Sequence, residues 1–277
     1  MTSPADEDPF LWLEDVHGDR AMAWVRAENT RTLGVLEADR RYAGFLAEAL
    51  KIVNATDRIA APTFIGAGVY NFWQDPTNVR GLWRRTTPAS YNSGAPQWET
   101  VLDLDTLSKS ENANWVWSGA YCPSPTFDRC LISLSDGGED ATVVREFDLP
   151  TRTFVTGGFN FPKGKQDISM LDRDTALVAR EWEPGTMTES GYAFVVKSLR
   201  RGQPLSAAVE IYRGLVTDVG VSPLVMHDAD GHTVALIVRN IDFYNSEVRL
   251  ITPEGLKKLL LPAKSTIQGF VDNTLIF

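Results

Sequence analysis

Histidine and cysteine are scarce, with three and two in 277 residues. No spacing among His17, His227, His232, Cys122 and Cys130 makes a zinc pattern, so neither a metal nor another cofactor is expected. Basic residues are outnumbered, 27 against 36 acids, and the formal net charge is -9. That balance argues against a partner role for nucleic acid or an anionic membrane surface, because both need basic protein surface. No apolar run approaches the roughly 18 residues of a membrane span. Met1 to Asp8 is acidic and polar, without the basic and apolar regions of a secretory signal, so the default compartment is the cytoplasm. The sequence also lacks any Gly-x-Ser-x-Gly elbow, the strand-to-helix turn that presents a serine nucleophile in many hydrolases.

Single residues fill none of these gaps. Ser118-Gly119 and Ser190-Gly191 lack the glycine two positions before the serine and read as turn residues. His17, His227 and His232 have no evident acid–base partners, and His232, after Asp-Gly, reads as a solvated turn residue. Asp228-Ala229-Asp230-Gly231 faintly resembles a calcium loop, but position 12 would be Arg239, where a bidentate glutamate belongs. Gly66-Ala67-Gly68 is no dinucleotide fingerprint, since residue 71 is Asn and no helix follows. Asp103 and Asp105 alternate with leucine and are expected to share one exposed strand face. No catalytic, cofactor-binding or metal-binding residue can therefore be named. Cys122 and Cys130 flank Ser-Pro-Thr-Phe-Asp and can face each other across a hairpin. With no oxidising compartment indicated, free thiols are expected.

What the chain does have is a hydrophobic fraction of 43% and an aromatic fraction of 10%, enough for a folded core. Two textures divide it. Residues 1–58 form a helical segment, with Asp19 as N-cap before Ala21, Met22, Trp24, Val25, Leu33 and Leu36, and a second helix carrying Tyr42, Leu46, Leu50 and Val53. Residues 59–277 are short β-type runs broken by Gly, Pro, Asn and Asp, with no helix longer than a turn or two.

A loose repeat runs through this second part, in which an apolar strand meets an Asp-rich turn and a second apolar strand follows. The second strands lie near Phe72, Ile132, Leu177, Leu236 and Ile276, at intervals of 60, 45, 59 and 40 residues. This is the scale of a four-stranded propeller blade, about 40–50 residues with insertions. The expected fold is mainly β, an incomplete β-propeller preceded by an α-helical segment, in preference to a β-sandwich of irregular spacing. The clusters Phe72-Trp73, Trp83, Trp98 and Trp115-Val116-Trp117 are expected to pack between sheets, in preference to forming a sugar-stacking surface. The chain ends Phe270-Val271-Asp272-Asn273-Thr274-Leu275-Ile276-Phe277, an apolar run without a polar tail. It reads as the start of a fifth blade, with more expected downstream.

Asp8-Pro9-Phe10-Leu11-Trp12-Leu13-Glu14-Asp15, followed by Ala23-Trp24-Val25 and Glu28-Asn29, resembles the opening of the prolyl oligopeptidase family of serine peptidases. Asn71-Phe72-Trp73-Gln74-Asp75, Asn78 to Thr87 and Pro96 to Asp103 resemble the first blade of bacterial members. The resemblance covers essentially the whole chain. It implies an N-terminal helical segment packed on a C-terminal α/β-hydrolase domain, with a propeller of about seven blades between them. The Ser, Asp and His of the triad belong to the hydrolase domain, which this chain does not carry. The propeller would gate a site that cleaves short peptides, typically after proline. About four blades are expected here, and no hydrolysis by this chain alone. The contrasting expectation is a stand-alone binding or scaffold module that self-associates or pairs with a separate hydrolase chain.

Overall fold

The computed structural model describes residues 8–262 and 264–277. Met1–Glu7, most of the stretch read above as lacking a leader, lies outside the described residues. Packing separates two units, Met1–Arg58 and Ile59–Phe277.

The first unit opens with a 3-10 turn at Leu11–Glu14, then α1 (Asp19–Leu36) and α2 (Tyr42–Val53). The turn sets Trp12 edge-on against Trp24, with ring centroids 6.4 Å apart, and Arg20 lies 4.0 Å above the Trp12 ring. The rare residues of the opening segment thus form one local clamp. Asp19 is not the cap expected above. Gly18 occupies the N-cap without a side-chain bond, and Asp19 sits in the first turn, where its charge meets the positive end of the helix dipole. None of the residues of α2 is buried.

The second unit is a run of antiparallel meanders. Blade 1 orders β1 (Thr63–Ile65), β2 (Gly68–Trp73), β3 (Leu82–Thr86) and β4 (Glu99–Asp103) side by side, with α3 (Pro88–Asn92) and α4 (Leu104–Glu111) as short interruptions. Blade 2 is β5 (Trp115–Tyr121), β6 (Arg129–Asp136), β7 (Thr142–Asp148) and β8 (Thr153–Phe154), and β9 (Asn160–Gly164) also pairs with β7. Blade 3 is β10 (Gln166–Asp172), β11 (Thr175–Arg180), β12 (Val195–Arg200) and β13 (Val209–Arg213). Blade 4 is β14 (Gly220–His227), β15 (Thr233–Asn240), β16 (Ser246–Thr252) and β17 (Gly255–Lys258). β18 (Gly269–Val271) and β19 (Thr274–Ile276) form a hairpin that begins a fifth sheet.

Blades 2, 3 and 4 are covered on both faces, and one core lies at each blade junction. Tyr70 and Trp83 of blade 1 meet Ile132, Leu134 and Phe147 of blade 2. Leu131, Val144 and Phe161 meet Met170 and Val178 of blade 3. Leu177, Ala179 and Val196 meet Val221, Val225 and Ile237 of blade 4. Val234, Leu236 and Val248 meet Phe270 and Leu275 of the fifth sheet. Side chains alternate across a strand, so a sheet buried on both faces needs an apolar residue at nearly every position. That requirement produces the unbroken apolar second strands of the repeat. Phe72, Trp83, Trp115 and Trp117 pack between blades 1 and 2 as expected, with Phe72 stacked on Trp117 at 5.1 Å and Trp83 5.4 Å from Trp117, whereas Trp73 and Trp98 lie outside that core, each 4.4 Å from Arg84.

Asp103 and Asp105 do not share a strand face. Asp103 ends β4 and caps α4, accepting hydrogen bonds from the Thr106 N–H at 3.0 Å and the Thr106 hydroxyl at 2.8 Å. Asp105 lies in the first turn of α4 and accepts the Arg80 N–H. A capping aspartate switches the chain from strand to helix where simple alternation would continue the strand. Ser118 is likewise a strand residue, at an irregularity of β5, whereas Ser190-Gly191 lies in a turn closed by the Gly191 N–H on the Thr188 carbonyl.

Candidate functional site

The turns joining first to second strands carry several of the polar cross-links between blades. In blade 4, Asp228 anchors the turn. Its Oδ1 accepts the N–H groups of Asp230 at 3.0 Å and His232 at 2.9 Å, and its Oδ2 accepts His232 Nδ1–H at 2.8 Å. The same Oδ2 accepts the Asn273 N–H at 2.9 Å, tying blade 4 to the β18–β19 hairpin. In that hairpin Asp272 and Asn273 both take positive φ, 48° and 57°, the pattern of a tight two-residue turn. Asp228, Asp230 and His232 do bring ligand atoms within 4.8 Å of one another. The four bonds on Asp228 occupy its lone pairs, however, and make it a turn anchor.

Burial would raise the Asp228 carboxyl, but the Asn273 N–H, the His232 side chain and the His232 N–H outweigh it and hold the group at about 2. The unfolded carboxyl keeps an ordinary value near 3.8. A depressed folded value stabilises the fold above pH ~4 and loses that effect as pH falls toward 2. Asp228→Asn is therefore expected to melt below the wild type at pH 5, with the gap narrowing as pH is lowered to 2.5. A gap independent of pH would contradict this role.

His227 has partners that its sequence position does not reveal. Its Nε2 faces the Met170 carbonyl of blade 3 at 3.4 Å, and its Nδ1 lies 2.8 Å from the Thr233 hydroxyl. A carbonyl only accepts, so the proton sits on Nε2 and Thr233 donates to Nδ1. His232 is the half-exposed turn residue expected, paired to Asp228. His17 is exposed.

Between blades 2 and 3 at this end, Glu146 of β7 is 2% exposed. Its Oε2 accepts the Arg201 guanidinium at 2.5 Å and the Phe159 N–H at 2.9 Å, while Oε1 has no hydrogen bond and faces Arg129 Nε at 4.0 Å. Arg201 also bonds Asp174 at 2.7 Å and the Arg173 carbonyl at 2.5 Å. This buried charge was readable in principle. In Val143-Val144-Arg145-Glu146-Phe147, Glu146 is in phase with the buried Val144. A cavity of about 280 Å³ opens beside it, lined by Ser124, Leu131, Met170, Arg173, His227 and Thr233 among others.

The chief departure from expectation is Cys122–Cys130, which are joined as a disulfide and are not free thiols. They stand one rung beyond the Tyr121–Leu131 pair of the β5–β6 ladder, so the pleat points both sulfurs to the same side. Local geometry outweighs the argument from compartment. The intervening residues 123–129 form part of the cavity wall.

Consecutive antiparallel meanders, packed face to face with one core per junction, define a β-propeller, here with four sheets and the start of a fifth. The sequence matches the family described as "Prolyl oligopeptidase, N-terminal beta-propeller domain" over residues 3–269, and the chain belongs to that family. It is 49% identical over 264 residues to an uncharacterized peptidase of Sinorhizobium fredii, covering 94% of this chain and 36% of that protein. A post-proline cleaving enzyme from Rickettsia typhi superposes with a TM-score of 0.85 at 27% identity, covering 93% of this chain and 39% of that one. Oligopeptidase B from Leishmania major, at 15% identity and a TM-score of 0.67, shares the fold. The chain thus spans little more than a third of the length of these relatives. Among the described residues no helix is long and apolar enough to cross a membrane.

Proposed function

We propose that this chain is the propeller portion of a serine peptidase that acts on short peptides, typically after proline, in the cytoplasm. The propeller restricts what reaches a triad located in an α/β-hydrolase domain, and this portion alone does not hydrolyse peptides. The observation that carries the reading is the similarity along 93% of this chain to a post-proline cleaving enzyme of which it covers 39%. A serine-directed phosphonate is expected to leave the purified chain unlabelled, and stoichiometric labelling would overturn the assignment of catalysis elsewhere. In the longer protein, a proline-containing octapeptide is expected to be cleaved and the same sequence inside a folded protein spared. Equal rates on both would remove the gating role.

The helical unit supports a partner surface. α2 has no buried residue, and Phe45, Leu46, Leu50, Ile52 and Val53 are all exposed. An apolar helix of this kind needs cover, which we assign to the hydrolase domain. The same exposure favours, as a second reading, a module that self-associates or binds a separate hydrolase chain. Mass measurement during size exclusion separates the two: a monodisperse oligomer of this chain supports the second reading.

A further inference from the structure

We propose that Cys122–Cys130 is a reversible thiol–disulfide site that clasps residues 123–129 as a strap across the inner ends of the blades. The inference does not depend on the peptidase reading. The strap leaves blade 2 and touches three other blades. Ser124 donates its hydroxyl to the His227 carbonyl of blade 4 at 2.9 Å, and Asp128 accepts Arg173 of blade 3 at 2.8 Å. The Phe127 ring lies over the β1–β2 turn of blade 1, where a Cβ on Gly66 would stand 3.3 Å from it. A segment of blade 2 that reaches β14, the first strand of blade 4, runs along the inner side of blade 3. The strap also walls the cavity described above.

Two features make the bond a clasp more than a staple of the fold. The β5–β6 ladder already holds both ends of the loop, through Tyr121 and Leu131, so breaking the disulfide does not require the sheet to open. The strap is also strained, because Phe127 takes a φ of 51°, in the left-handed region that a bulky aromatic avoids. Between Pro123 and Asp128 its remaining ties are hydrogen bonds, the half-exposed Asp128–Arg173 ion pair and one ring contact, few enough to give way when the clasp is released, while Arg129 stays held to Asp148 in the β6–β7 ladder. Access is one-sided, since Cys130 is 1% exposed and Cys122 is half-buried. The thiolate of glutathione or of a protein dithiol therefore attacks Cys122 Sγ. The S–S bond breaks, its electron pair leaves on Cys130 Sγ, and that sulfur takes a proton. A second reductant thiol then attacks the mixed disulfide and releases the Cys122 thiol. The reductant ends as its own disulfide, and the protein gains two electrons and two protons.

The test is hydrogen exchange on the air-oxidised chain, before and after equilibration with reduced glutathione under native conditions, with thiols counted by alkylation and mass. Expected are no free thiols before and two after, unchanged circular dichroism, and exchange about tenfold faster at Phe127 and Leu149. The Phe127 and Leu149 amides donate to the Pro123 and Asp128 carbonyls. Amides of β6 within Ile132–Leu134 should keep their protection. The doubly substituted chain, Cys122→Ser with Cys130→Ser, should match the reduced form and ignore glutathione. Free thiols in the air-oxidised chain would overturn the proposal. So would reduction only in denaturant, loss of the fold on reduction, or unchanged exchange at Phe127 and Leu149.

Discussion

Phe147→Ala is expected to destabilise the chain by about 4 kcal/mol, within the range for emptying a large aromatic site in a close-packed core. Phe147 is 0% exposed and lies in the junction between blades 1 and 2. Its ring meets Phe154 edge-on at 5.2 Å and lies 6.0 Å from Trp83, which leans on Trp117 and Tyr70. The space left cannot readily collapse, because each wall is a ladder held by its own strand pairing. Urea unfolding would show the loss as a lower midpoint at constant slope. Phe147→Leu keeps most of the volume and should cost about 1–2 kcal/mol. A loss under about 1 kcal/mol for the alanine variant would mean that the blade junction repacks and is not the rigid contact described.

Glu146→Ala is expected to cost about 3 kcal/mol, the lower end for removing one partner of a buried ion pair. Arg201 keeps about a quarter of its side chain in solvent, which limits the penalty of stranding it. The Phe159 N–H also loses its acceptor, and a buried unpaired amide is costly in itself. Glu146→Gln retains an acceptor and should lose less. Replacing Arg201 by methionine in the Glu146→Ala background should recover part of the loss, because the stranded charge is gone. Urea midpoints of the two single variants and the double variant form the cycle that measures this coupling. Strict additivity would show that the pair is not energetically linked. Glu146 and Phe147 are neighbours on β7, and the pleat sends them to opposite sheet faces, so one strand joins blade 2 to blade 1 by aromatics and to blade 3 by charge.

Much of the architecture was legible in advance. Phe72, Ile132, Leu177, Leu236 and Ile276 each fall on the second strand of a sheet; in blades 2, 3 and 4 burial on both faces leaves an apolar run that no exposed strand needs. The Asp-rich turns between first and second strands were visible for a related reason: aspartate accepts local N–H groups and tolerates tight turns. Cues that depend on a competing local interaction mislead. Asp103-Leu104-Asp105 reads as continued alternation, but the Asp103 side chain caps a helix, and Asp19 has the residue type of a cap while Gly18 holds that position.

The candidate site was the least legible part. Ser124 and His227 are 103 residues apart, and Glu146 and Arg201 are 55 apart. Nothing in a single sequence pairs them. The cysteine spacing showed that Cys122 and Cys130 can meet, but only the register of β5 with β6 decides that they do.

The sequence by itself determined the repeating β unit, the helical opening and the family, because each is written in local periodicity and short-range motifs. The tertiary structure alone decided which charges are buried, how the strap at 123–129 crosses to blades 1, 3 and 4, and how the cysteines are joined. Those outcomes depend on distances between segments far apart in the chain, and such distances exist only once the blades have packed.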